Sequence, residues 1–252
     1  MQIKSATTGV TEITDLKIQK SISHILIIKN GAAEIVDEKI TLSLQSEQGS
    51  AKVLPLSKIR THAIISQFQA GHQLIEKKAD GTVKCAFLLA LSATDAILLQ
   101  NNTYLKLDLT NLVAGSTYEV FGLEYASASR FYNEFNNEII TGNDSQTKTF
   151  TPQFGAKSLI LSNNGSLSSV RLSYAGANEV TYTPQELDAI MRSSNDISFA
   201  PDKLIEGDTV NQAILGGGTE FWALSLVGVS KFEVTTTGAD DLSVMQIVVK
   251  SY

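Results

Sequence analysis

The sequence predicts an all-β protein built as two tandem β-sandwiches. Three observations predict it. Short runs rich in Val, Ile, Leu, Thr and Tyr alternate apolar and polar residues with period two. Clusters of Ser, Asn, Gly and Asp separate these runs. The second half of the chain then repeats the order of the first.

Taken in order, strands are expected at residues 24–29, 39–43, 83–91, 104–109, 116–124, 157–161, 169–174, 220–226, 231–236 and 243–251. In the run Tyr104 to Leu109, Leu105, Leu107 and Leu109 share one face, and Lys106 and Asp108 the other. In the run Ser169 to Tyr174, the apolar face is Val170, Leu172 and Tyr174. Such half-buried strands fit a sandwich of two antiparallel sheets. Turn chemistry is expected at Asn30-Gly31, Asp80-Gly81, Asn164-Gly165 and Ala175-Gly176.

One helix is signalled at 183–192. Thr183 stands at the N-cap, Pro184 at the first helical position and Glu186 completes a capping box. Leu187, Ile190 and Met191 form its apolar stripe. Further helices are expected at 57–66 and 127–138.

The repeat is read from six matches in the same order, about 130 residues apart. The run from Leu26 to Gly31 matches Leu159 to Gly165, and Ile40 to Leu44 matches Val170 to Tyr174. Ala63-Ile64-Ile65 in a helix matches Ala189-Ile190-Met191. Phe87 to Ser92 matches Phe221 to Ser225, Tyr104 to Leu107 matches Lys231 to Val234, and Thr117 to Tyr125 matches Ser243 to Tyr252. Each half, with several strands and a short helix, suits an eight-stranded jelly roll. The expected division is a first jelly roll at 1–125, a linker at 126–150 and a second jelly roll at 151–252.

Composition narrows the function classes. The chain has 252 residues, of which 43% are hydrophobic and 18% charged, with a net charge of -6. The charged share lies below the ~25% typical of soluble domains, which points to surface hidden in cores or between subunits. The acidic balance argues against a specific nucleic-acid partner. The one cysteine, Cys85, cannot form an internal disulfide and reads as a buried apolar residue. The N-terminal stretch is polar and shows no signal peptide, and no apolar run is long enough to span a bilayer.

Chemistry-bearing motifs are sparse. His24, His62 and His72 have no second ligand at metal spacing. Gly216-Gly217-Gly218 lacks the Lys-Ser/Thr of a phosphate loop and reads as a flexible loop. Asp240 and Asp241, in a turn after Gly238, read as a turn or a weak cation site and not as an acid–base pair. No catalytic, cofactor-binding or metal residue is therefore assigned, no cofactor is expected, and the chain is not read as an enzyme. Carbohydrate binding is the rival reading, but Trp222, the only tryptophan, falls within a strand and reads as core.

Two jelly rolls in one chain, each with a helix between strands, resemble the major capsid proteins of the double jelly-roll virus lineage, which includes tectiviruses, corticoviruses and adenoviruses. Residues 157–196 resemble a corticovirus-type capsid protein: the run Lys157 to Leu161, then Val170 to Tyr174, Glu179 to Tyr182, the helix from Pro184 to Arg192, and Ser194-Asn195-Asp196. The long tower loops of larger members are not evident. The resemblance implies a homotrimer whose six jelly rolls form a pseudo-hexagonal tile of an icosahedral shell over an internal lipid membrane. It implies neighbouring capsid trimers and penton or vertex proteins as partners. It also implies synthesis in the host cytoplasm and a final place in the virion. A phage spike, receptor-binding or carbohydrate-binding β-sandwich module is the alternative. The basic N-terminal residues Lys4, Lys17 and Lys20 are read either as facing lipid beneath the shell or as a frayed, solvated terminus.

Overall fold

The computed structural model describes residues 1–47, 49–70, 73–92, 95–100, 102–176, 178–194, 209–214 and 220–252. His72, Gly216 to Gly218, Asn195 and Asp196 lie outside the described residues.

The chain begins with β1 (Gln2–Thr8), β2 (Ile13–Ile18), β3 (His24–Gly31), β4 (Lys39–Ser46) and β5 (Gly49–Lys58). Helix α1 (Ile59–Ala70) follows, then β6 (Leu74–Lys78), β7 (Val83–Ala90), β8 (Ala96–Ile97), β9 (Tyr104–Thr110) and β10 (Thr117–Leu123). The second series is β11 (Ala128–Ser129), β12 (Phe131–Ile140), β13 (Thr147–Phe150), β14 (Ala156–Ser162), β15 (Leu167–Tyr174) and β16 (Glu179–Tyr182). It ends with α2 (Pro184–Ser194), β17 (Thr209–Ile214), β18 (Phe221–Ser225), β19 (Val229–Thr236) and β20 (Leu242–Ser251).

Two compact units result. One holds residues 1–134, 199–215 and 250–252; the other holds 135–198 and 216–249. The first sandwich pairs the sheet β1-β10-β3-β7, extended by β6 and β17, with the sheet β2-β9-β4-β5. The second pairs β12-β20-β14-β18 with β13-β19-β15-β16. If the eight sandwich strands of each set are counted in chain order, both show the same weave. One sheet runs first-eighth-third-sixth and the other second-seventh-fourth-fifth. Each is an eight-stranded jelly roll with one short helix between its fifth and sixth strands. The fold class read from the sequence is the one observed.

Alternation explains the packing. In β4, Ile40, Leu42 and Leu44 lie opposite Leu109, Leu107 and Leu105 of β9, and all six are buried. In β15, Val170 and Leu172 lie opposite Val234 and Phe232 of β19, again all buried. Phe232 also stacks on Phe150 with ring centroids 5.0 Å apart. Because side chains alternate across each strand, a slip of one residue would turn these rows outward.

Three expectations change. The helix expected at 127–138 is β-structure, namely β11 and β12. Phe131, Tyr132 and Phe135 stand at i, i+1 and i+4, a spacing that imitates a helix, but residues 131–140 are taken up by hydrogen bonding in the sheet β12-β20-β14-β18; there Tyr132 and Phe135 are buried and Phe131 is exposed. The segment 126–150, expected as a linker, also carries β13, so it supplies the first two sandwich strands of the second jelly roll. Asn30-Gly31, expected as a turn, continues β3 opposite Lys84 and Val83 of β7. The helix expected at 57–66 is observed as α1 (Ile59–Ala70), and that at 183–192 as α2. The capping box forms: the Thr183 backbone N–H donates to Glu186 Oε2 at 2.8 Å, and the Glu186 N–H donates to Thr183 Oγ1 at 3.4 Å.

Candidate assembly surface

The residues singled out for chemistry do not converge. Cys85 is buried on β7, and burial pushes its thiol up to about 11, so it stays protonated. His24 is partly buried beside Ser23 Oγ at 2.8 Å, and burial lowers its pKa. His62 is buried on α1 with Nε2 2.5 Å from Ser57 Oγ, and burial drives it down to about 4. Asp240 and Asp241 sit in the β19–β20 turn. Asp241 Oδ1 accepts the Gly142 N–H at 2.9 Å, and the Asp240 N–H donates to Ser166 Oγ at 3.0 Å. Among the described residues no group of three His, Cys, Asp or Glu is placed to hold a metal ion. Trp222 is buried at 1% exposure, and its indole Nε1–H donates to Asp188 Oδ1 at 2.8 Å. It is core, as read from the strand pattern, and offers no platform to a sugar.

Of the basic N-terminal residues, Lys4 and Lys17 belong to strands and Lys20 lies in the bend between β2 and β3. Lys4 lies on β1 opposite Val120 of β10. Lys17 lies on β2 with Nζ 5.3 Å from the centre of the Tyr104 ring. Lys20 Nζ is 3.9 Å from Glu124. The frayed-terminus reading therefore does not hold.

Sequence reading missed a buried polar cluster in the first sandwich. Lys29 on β3 and Glu38 just before β4 are 1% and 2% exposed. Lys29 Nζ donates to Glu38 Oε1 at 2.5 Å and to the Glu34 carbonyl at 3.0 Å. Tyr118, directly opposite Lys29 in the β10–β3 ladder, donates its hydroxyl to Glu38 Oε1 at 3.0 Å. Glu38 Oε2 accepts the N–H groups of Val36 at 2.9 Å and Asp37 at 3.1 Å. Burial pushes the Glu38 carboxyl up, but the hydrogen bonds from Lys29 and from backbone N–H groups outweigh it and hold the pKa below its ordinary value. The one hint in the sequence is a lysine at an inward position of an otherwise apolar strand.

Sheet edges and turns are among the surfaces open to a partner. The sheet β2-β9-β4-β5 ends in β5, and β13-β19-β15-β16 ends in β16. These equivalent edges each carry an outward aliphatic residue, Leu56 at 63% exposure and Val180 at 38%. Pro55 on β5 has no N–H to offer, which blunts open-ended strand addition along that edge. Edges of this kind accept side-chain contacts from a neighbour more readily than an extended ladder. The two ends of the second sandwich also differ. The turns at 141–146, 163–166 and 237–241 carry Asp144, Asp240 and Asp241. At the opposite end, the turns at 151–155 and 226–228 carry Phe154, fully exposed, and Val227, 71% exposed.

Two jelly rolls of identical weave, with no convergent catalytic side chains among the described residues, define a double jelly-roll protein. No protein-family model matches the chain, and no curated protein matches it. Among solved structures, the chain is similar to the major capsid protein P2 from bacteriophage PM2. The TM-score is 0.55 at 10% identity, covering 100% of this chain and 97% of that one. Lower similarity is found to the mavirus major capsid protein, with TM-score 0.36, 9% identity and coverage of 100% and 86%. The Sputnik virophage structure gives TM-score 0.40, 10% identity and coverage of 99% and 85%. The likeness to the PM2 protein runs through both sandwiches and shows that the two chains share a fold.

Proposed function

We propose that this chain is a structural virion protein, a major capsid protein without enzymatic activity. The observation that carries the reading is the end-to-end match, over both jelly rolls, to a bacteriophage major capsid protein. In this reading the two jelly rolls are copies of one domain, divided near residue 125. Three chains close into a homotrimer whose six jelly rolls form a pseudo-hexagonal tile. Tiles pack with neighbouring trimers and with penton or vertex proteins into an icosahedral shell over an internal membrane, after synthesis in the host cytoplasm.

The physics supports closure. A heterologous ring buries one edge of each domain against a different edge of its neighbour, and the sheet edges at β5 and β16 are open for such contacts. A low charged share, 18%, suits large interfaces with few charges at their centres. Light scattering coupled to size exclusion tests the reading. A stable species of three monomer masses is expected, and a strict monomer at every concentration overturns it.

A further inference from the structure

We infer that one end of the second jelly roll, the tip formed by the turns holding Phe154 and Val227, inserts shallowly into a lipid bilayer. The inference rests on the capsid reading only for the biological identity of that membrane. The physical case is local to the second sandwich.

Phe154 is 100% exposed and Val227 is 71% exposed, so both leave apolar side chains wholly or largely in water. Their turns are neighbours. β14 and β18 pair with Ser158 opposite Ser225, and the Leu226 N–H donates to the Lys157 carbonyl at 2.9 Å. Phe154 and Val227 therefore project from adjacent turns at one end of one sheet. Each is followed by a glycine in the left-handed region, Gly155 at φ +85° and Gly228 at φ +79°. At Gly155 a Cβ would come within 2.7 Å of the Val249 carbonyl oxygen, so the tight turn behind Phe154 requires glycine. The Val249 N–H donates to the Gly155 carbonyl at 3.0 Å, which ties that turn to β20. The tip is thus a pair of turns with protruding side chains, and not a groove.

Charge selects the partner. The turns at this end, 151–155, 175–176 and 226–228, contain no carboxylate side chain. Glu179, which opens β16 at this end, is engaged by the Ser173 hydroxyl at 2.9 Å and by Arg171 at 3.5 Å. Lys157 is exposed next to the tip and has no ion-pair partner among the described residues. The other end of the same sandwich carries Asp144, Asp240 and Asp241. A sandwich with an acidic end and, opposite it, exposed apolar side chains on turns that carry no carboxylate, beside a lysine, is oriented by a membrane surface. The acidic end is repelled by lipid phosphates, while Phe and Val enter the boundary between headgroups and acyl chains. One aromatic tip binds weakly alone. Repetition over an assembled layer multiplies the contact without any new chemistry.

The test is flotation of the purified full chain with large unilamellar vesicles of phosphatidylcholine containing phosphatidylglycerol, in parallel with size exclusion. The wild-type chain is expected to float. Phe154→Ser should lower the bound fraction about tenfold, and Val227→Ser by a smaller factor, with the oligomeric state unchanged. Phe154→Trp adds a reporter whose emission should shift to the blue on vesicle addition, while buried Trp222 contributes a constant background that also reports intact folding. A wild-type chain that assembles yet stays with the unbound fraction overturns the insertion and leaves the capsid reading standing. A chain that floats through Phe154 but never leaves the monomer sinks the capsid reading and keeps the insertion. If Phe154→Ser abolishes assembly and leaves vesicle binding intact, the tip is a protein contact and the inference is wrong.

Discussion

Replacing Lys29 with methionine should unfold the first jelly roll more readily than any surface change. The side chains are similar in length, so the packing loss is small. What changes is charge. Glu38, 2% exposed, would keep its Tyr118 and backbone donors but lose the 2.5 Å cation. Breaking a buried pair from one side costs about 3–5 kcal/mol, because an uncompensated charge stays in the interior. For a unit of this size, each kcal/mol moves the melting temperature by about 3 °C, so a drop of about 10 °C is expected. Lys29→Met combined with Glu38→Gln removes both charges and leaves an oxygen that can still accept from Tyr118. It should recover more than half of that loss, a coupling of about 2 kcal/mol in a double-mutant cycle. Differential scanning calorimetry resolves the effect. A single Lys29→Met variant costing under about 1 kcal/mol would refute the reasoning, because the pair would then be solvated in a way that its burial denies.

Acid tests the same unit. Glu38 is held below its ordinary value of 4.5, so its contribution is complete above that value and fades as pH falls through the lower folded value. His62 acts over a higher window. Its folded pKa, lowered from 6.5 to about 4, means that the unfolded chain takes up a proton first; stability is full above pH 6.5 and declines toward pH 4 by about 3 kcal/mol. His62→Gln should flatten that slope in urea titrations at stepped pH, and an unchanged slope would remove His62 as its source. Thr183→Ala opens the capping box of α2 and should destabilise the second unit by about 1 kcal/mol in thermal melts followed by Trp222 fluorescence. Trp222→Ala, at a buried site that also holds Asp188, should cost about 3–5 kcal/mol in the same unit, measured by circular dichroism.

Much of this fold was legible because alternation is loud where one face is buried. The six matched segments of the repeat fall on β3 and β14, β4 and β15, α1 and α2, β7 and β18, β9 and β19, and β10 and β20, which occupy equivalent places in the two jelly rolls. The opening strands were quiet for physical reasons. β1 is mostly exposed, and its pairing with β10 is broken by register shifts at Lys4 and Thr7. β2 bulges between Ile13 and Leu16, with Asp15 at φ 59°. In β12 the residues Asn136, Asn137 and Glu138 imitate loop chemistry while their backbone stays extended. The buried Lys29 cluster was hidden for another reason. Its members lie nine and 80 residues apart along the chain, and only the fold brings them together. The tip residues Phe154 and Val227 carry no sequence signal, since a lone apolar residue in a turn is unremarkable until its exposure is known.

The strand β17 has a consequence for how the protein is made. Thr209 to Ile214 come after the helix of the second jelly roll, yet they pair with β6, from Ile214 opposite Leu74 to Thr209 opposite Lys78. During synthesis the ribosome delivers β6 well over a hundred residues before its outer neighbour. For that interval the nascent first sandwich presents a bare strand edge, open to the same edge on other nascent chains of a polysome. The edge of β6 is therefore closed only after residues 209–214 have left the ribosome, late in the synthesis of the second jelly roll.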